Sequence, residues 1–191
     1  MTPTAMNPTD PAPSSAPSTA PIGAAASAPR VRVQESDFDV AAELDALQAG
    51  RIDVGAVVSF TGCVRADAVP GDAGHVDALT LEHYPGMTER AIEAMVDEAA
   101  RRFAVLGARV VHRVGRLLPG ERIVLVAVAS SHRRDAFQAC EFLMDYLKTQ
   151  APFWKKEATA TGEHWVDARV ADDEALARWG IASGNAAGGG A

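Results

Sequence analysis

The sequence is short of the residues that build the common metal and redox centres. It holds two cysteines, Cys63 and Cys140, with neither metal-ligand nor redox-motif spacing. Each sits in an apolar pattern, which reads as a small buried hydrophobe rather than a nucleophile. No CxxC or HExxH occurs, so no metal site is expected. There is no Gly-rich phosphate loop, no GxSxG elbow and no dinucleotide fingerprint. Apolar runs such as Ile123 to Ala129 are far too short to span a bilayer. Net positive charge is lacking too. The formal sum is −7, which argues against wholesale binding to nucleic acid or to an anionic membrane surface. A local basic pocket is compatible with that sum.

What is there is the composition of an ordinary globular protein, 191 residues with 48% hydrophobic and 23% charged. Residues 1–30 are almost all Ala, Pro, Ser and Thr. Such a stretch buries too little apolar surface to offset its ordering entropy and reads as disordered. It has no basic start, and prolines interrupt any apolar segment, so it is not a secretory signal; the cytoplasm is the expected compartment. Residues 31–182 form one domain of common size, and the Gly- and Ala-rich tail, 183–191, frays.

Within the domain, short β-type runs mix with helical ones. Val31 to Gln34 reads as a strand, and Ser36 or Asp37 caps a short helix through Leu47, ended by Gly50. Val54 to Val64 is β-branched and apolar, hence a largely buried strand, with Arg65 at its end and a polar loop behind it. Val76 to His83 alternates as a half-buried strand does. Thr88 to Val105 is amphipathic, with Ile92, Met95, Val96, Ala99 and Phe103 on one helical face. Arg109 to Leu117 and Arg122 to Ala129 are strands joined by a turn at Leu118 to Glu121. Ser130 or Ser131 caps a second long helix, to about Lys148, with Ala136, Cys140, Leu143, Met144 and Leu147 inward. Strands at Phe153 to Thr161 and Glu163 to Val166 and a helix from Asp172 to Trp179 close the chain. No repeat and no strict βαβ alternation is visible. The class is therefore α+β with mostly antiparallel pairing.

The chemistry-bearing residues are cations at the ends of these elements. Arg65, taken alone, is as well explained as a solvated flank. His132 and Arg133 open a helix, where the macrodipole disfavours cations, and a basic pair makes most sense there with a phosphate or carboxylate in front of it. Lys148 at a helix C-terminus is also what the dipole favours by itself, and Lys155-Lys156 also suit a strand edge that deters aggregation. Geometry adds a constraint. If His132 and Lys148 lie at the two ends of one helix, roughly 24 Å separates them, and both reach one small substrate only if a second copy of the chain completes the site.

The motifs VGAVVSFTGCVR (54–65), LEHYPGM (81–87), HRVGRLLPGE (112–121), ASSHRRDAF (129–137) and, above all, MDYLKTQAPFWKKE (144–157) resemble the large-subunit family of molybdopterin synthase, in that family's order and spacing. They span most of residues 31–170. The resemblance implies an α/β hammerhead fold and a homodimer within a heterotetramer. It also implies a ubiquitin-like small subunit whose C-terminal Gly-Gly carries a thiocarboxylate, and cyclic pyranopterin monophosphate as substrate. It implies Lys148 and Lys155 as catalytic lysines, Arg65, His132 and Arg133 as anion-binding residues, and Phe60, Met144 and Pro152 beside the channel for the partner's tail. No cofactor is expected on this subunit, because the sulfur arrives on the partner. Two other readings are open: a non-catalytic docking module for the ubiquitin-like carrier, and an unrelated anion-binding enzyme. Retention of both lysines and all three anion-binding positions argues against the first, and five motifs in order against the second.

Overall fold

The computed structural model describes residues 29–66, 75–160, 162–166 and 178–180. The expected helix at 172–179, the loop at 66–77, the extension at 1–30 and the tail at 183–191 lie largely or wholly outside them.

Two four-stranded sheets organise the described residues. The first has the order β1 (Val31–Gln34), β4 (Val105–Arg113), β6 (Arg122–Ser130), β2 (Ala56–Cys63). The second runs β5 (Gly115–Leu117), β3 (Val76–His83), β7 (Phe153–Thr159), β8 (Gly162–Val166). Among the described residues only β1 against β4 is parallel; the other pairings are antiparallel, in keeping with the α+β class.

Alternation along β6 decides the layers. Val124, Val126 and Val128 face helices α2 (Met87–Arg102) and α3 (Arg133–Gln150), where they meet Ile92, Met95, Val96, Ala99, Phe142 and Leu143 in the principal core. Leu125, Ala127 and Ala129 face the other way, onto Leu47 of α1 (Val40–Gln48) and Phe38. A third cluster, Val64, Leu81, Val114 and Leu117 with Phe153 against it, joins the two sheets. Side chains such as Phe142 and Leu143 are wholly buried, each worth roughly 1.5–3 kcal/mol relative to exposure. Among the described residues no helix is long and apolar enough to cross a membrane.

Several boundaries differ from the sequence reading, each for a local reason. The cap of α1 is Asp39, whose carboxylate accepts from the Ala42 N–H at 3.2 Å. Asp37 is occupied elsewhere, accepting from the Phe38 N–H and from Arg122. The strand expected over Arg109 to Leu117 is two strands. Gly115 has φ +81°, open to glycine at little cost, and there the chain leaves the first sheet for the second. The first helix of the pair stops at Arg102, since Phe103 is already extended and Val105 enters β4. Ser130 and Ser131 do not cap α3. The Ser130 hydroxyl ends β6, donating to the Ala104 carbonyl and accepting from the His132 N–H, and His132 is the capping residue, without a side-chain bond.

The run Val54 to Val64 is not largely buried. β2 is an edge strand with β6 as its one neighbour, and Ser59, Phe60, Thr61 and Cys63 are exposed. Cys63 accordingly fails the buried-hydrophobe reading, whereas Cys140 meets it.

Candidate functional site

α3 runs unbroken from Arg133 to Gln150. His132 caps its start and Lys148 stands in its last turn, so the two are at opposite ends, roughly 24 Å apart. The first sheet tells the same story independently. In the β2–β6 register Ala56 pairs with Ser130 and Cys63 with Arg122. His132 follows Ser130 and Arg65 follows Cys63, so Arg65 and His132 are separated by the length of a strand, roughly 23 Å. The chain therefore divides the expected site. Arg65 and Lys148 belong to one end, and His132 and Arg133 to the other; all four are exposed.

Lys155 joins the first group. Beyond Gln150 the chain turns at Ala151 and Pro152, the Phe153 N–H closing back on the Ala151 carbonyl at 2.8 Å, and β7 carries Lys155 away from the end of α3. Val64, next to Arg65, packs in the same cluster as Leu81 and Phe153, and Leu81 is the register partner of Lys155 on β3. The turn of residues 118–121 holds the Arg65 end of β2, through Val64 N–H to the Glu121 carbonyl and Gly120 N–H to the Val64 carbonyl, both 2.9 Å. Lys148, Lys155 and Arg65 thus stand on segments that meet through one helix end, one turn and one inter-sheet cluster.

The three residues expected beside a tail channel do not form one compact feature. Phe60 lies on the α3-facing side of β2, as Val58 does, and is 41% exposed. A Cβ on Gly62 would stand 2.9 Å from Val124 and 3.2 Å from the Phe60 ring, so glycine lets that ring lie along the strand. Met144 is half-buried against the principal core. Pro152 is half-buried at the turn, and its carbonyl accepts from the Thr88 hydroxyl at 3.2 Å.

A set of residues that the sequence reading did not single out supports this turn. Thr88, wholly buried in the first turn of α2, also accepts from the Tyr84 N–H at 3.1 Å. Gly86 caps the helix at φ +78°, and its N–H is held by the Glu89 carboxylate at 2.6 Å. The second Glu89 oxygen lies 3.7 Å from His83 Nε2. His83 pairs with Phe153 in the β3–β7 register. The ring of His112 stacks on that of Phe153 at 3.9 Å and 17°. Burial pushes the His112 imidazole down to about 4, with the nearby charges of Lys155 and His83 acting in the same direction. Its Nδ1 lies 2.8 Å from the Arg113 carbonyl, which fits the neutral tautomer that donates from Nδ1. These residues sit inside LEHYPGM and HRVGRLLPGE. Only the topology reveals that both motifs converge on the turn between the two lysines.

Among the described residues no group of three or more His, Cys, Asp and Glu side chains is arranged to hold a metal ion. What the Lys148 end offers is cationic charge, proton-carrying amines and hydrogen-bond donors. The other end offers an imidazole and a guanidinium before a helix N-terminus. These are tools for holding anions and moving protons.

Comparison with known proteins gives a concordant set. The family model described as MoaE protein matches residues 33–150. The molybdopterin synthase catalytic subunit of Ralstonia nicotianae is 60% identical over 158 residues, covering 83% of this chain and 88% of that protein. The solved MoaE protein of molybdopterin biosynthesis from Burkholderia ambifaria superposes with a TM-score of 0.68 at 56% identity, covering 79% of this chain and 97% of its own. The molybdopterin synthase structure from Staphylococcus aureus gives 0.64 at 30% identity, covering 71% and 95%.

Proposed function

The chain belongs to the MoaE protein family, and from that membership we infer that it works as the catalytic subunit of a molybdopterin synthase. It transfers sulfur from the thiocarboxylated C-terminus of a ubiquitin-like small subunit to cyclic pyranopterin monophosphate, building the dithiolene of the molybdenum cofactor. The assembly is a homodimer of this chain with a small subunit bound to each copy, and its compartment is the cytoplasm.

The observation that supports the residue assignments is the meeting of the segments that carry Lys148, Lys155 and Arg65. A thiocarboxylate is already a good nucleophile, so the subunit needs neither a catalytic cysteine nor a resident cofactor. Its tasks are to neutralise a phosphate and a carboxylate, and to carry protons as the cyclic phosphate opens and sulfur adds. Arg65 and Arg133 suit the first task through a planar, permanently charged fork, with His132 beside Arg133. Lys148 and Lys155 suit the second, as amines that can pass a proton. Phe60, Met144 and Pro152 are proposed to border the path of the partner's tail. The separation of His132 and Arg133 from the lysines supports a site completed by the second copy of the chain.

The test is reconstitution of three components: this chain, a thiocarboxylated small subunit, and cyclic pyranopterin monophosphate. Dithiolene-containing pterin that appears only when all three are present is the expected result. Binding of the small subunit without product would overturn the enzymatic reading in favour of a docking role.

A further inference from the structure

Phe153 opens the strand that bears Lys155, and it is held from two sides. Its register partner on β3 is His83, and its ring lies flat against that of His112 at 3.9 Å and 17°. Side chains two apart on a strand share a face, so whatever fixes the ring of Phe153 fixes the line on which Lys155 leaves the sheet. His112 is suited to that task. It sits on β4 of the first sheet, 8% exposed, and its Nδ1 is tied to the Arg113 carbonyl at 2.8 Å, so its ring has little freedom to turn. It is a ring-on-ring contact between the first sheet and the start of β7, beside the apolar packing of Phe153.

We propose that His112 is a positioning residue for Lys155, acting as an uncharged flat ring that clamps Phe153 and so sets the lysine two residues along the strand. The proposal rests on the reading of Lys155 as a site residue. The groups around the ring explain why it is kept neutral. Burial disfavours the imidazolium, and the Lys155 ammonium stands near it. The Glu89 carboxylate faces His83 at 3.7 Å rather than His112. Arg113, next in the strand, is directed to the Glu35 and Arg122 carbonyls and to Glu121. An imidazolium at His112 would repel the amine it is there to place.

In the reconstituted enzyme, His112→Ala should lower kcat by about tenfold or more with KM for the precursor within about twofold, the pattern of a misplaced catalytic group rather than lost binding. His112→Phe keeps a flat ring of similar area and should recover most of that loss. Phe153→Leu removes the other half of the stack and should reproduce the His112→Ala phenotype, so the test survives if one variant misfolds. Folded His112→Ala enzyme with unchanged kcat, or a loss that His112→Phe does not repair, would overturn the proposal. Lys155→Ala serves as the reference. Full turnover in it would overturn the site reading itself, and the proposal with it, whereas loss there beside normal turnover in His112→Ala overturns the proposal alone.

Discussion

His132 and Lys148 mark the two ends of a single unbroken helix, and nothing in the fold of one chain brings them back together. The register of β2 with β6 separates Arg65 from His132 by a similar distance. A substrate of pterin size cannot bridge such a gap. Either the basic pair at the start of α3 is merely solvated, or it serves a site whose lysines come from another copy. The charge pattern favours the second, because cations are otherwise unwelcome at a helix start.

Lys148→Ala should abolish product formation and leave the fold intact. The lysine is exposed in the last turn of α3, so its removal opens no cavity, and the loss of a favourable dipole interaction costs about 0.3–1 kcal/mol. Turnover and the thermal midpoint, measured on the same preparation, check this. Near-normal turnover would remove Lys148 from the mechanism.

Stability should depend on pH through His112. Its folded-state pKa is depressed from 6.5 to about 4, so the unfolded chain binds the proton more readily. The contribution is fully present above about 6.5 and is lost progressively as the pH falls toward 4, amounting to about 3 kcal/mol across that window. Urea midpoints of the wild type and of His112→Phe, taken from pH 7.5 to pH 4, should diverge accordingly, with the variant the flatter of the two. Parallel curves would show that His112 is not buried neutral.

The two thiols should behave differently. Burial pushes Cys140 up to about 11, while Cys63 is exposed at the end of an edge strand. An aromatic disulfide reagent should titrate one thiol quickly in the native protein and the second only after unfolding. Equal rates would contradict the burial of Cys140.

Truncation should distinguish residues 1–28 from the two that follow. Arg30 pairs with Glu93 and Asp97 on α2, and the carbonyl of Pro29 accepts from the buried Arg109 guanidinium, which also meets Glu43 at 3.0 Å. Removing 1–28 should leave activity and thermal midpoint nearly unchanged. Removing 1–30 should destabilise, on the order of 1–3 kcal/mol, by depriving Arg109 of an acceptor. A large loss on the shorter deletion would give the extension a function.

Much of this was legible in the residues because it is local. The period of Ile92, Met95, Val96 and Ala99 identifies α2, and the β-branched runs identify β4 and β6, whatever they pack against. What was not legible depends on neighbours. Val54 to Val64 has the composition of a central strand, and only the sheet order makes it an edge that leaves Phe60 and Cys63 open. Ser36 and Asp37 are the caps that the sequence suggests; Asp37 meets Arg122, 85 residues away, and Asp39 caps the helix. The site followed the same rule. The lysines stand in a motif that can be recognised, whereas Thr88, His83 and His112 become relevant only when three segments meet at the turn around Pro152.

The most direct test of a site shared between two copies is complementation. His132→Ala and Lys148→Ala proteins, each inactive alone, are mixed under conditions that exchange subunits, exchange is verified by mass, and turnover is measured with thiocarboxylated partner and precursor. A shared site predicts that the mixed dimer regains activity, because one of its two sites then holds both intact residues. No activity after confirmed exchange would contradict the shared site and assign His132 and Lys148 to separate tasks.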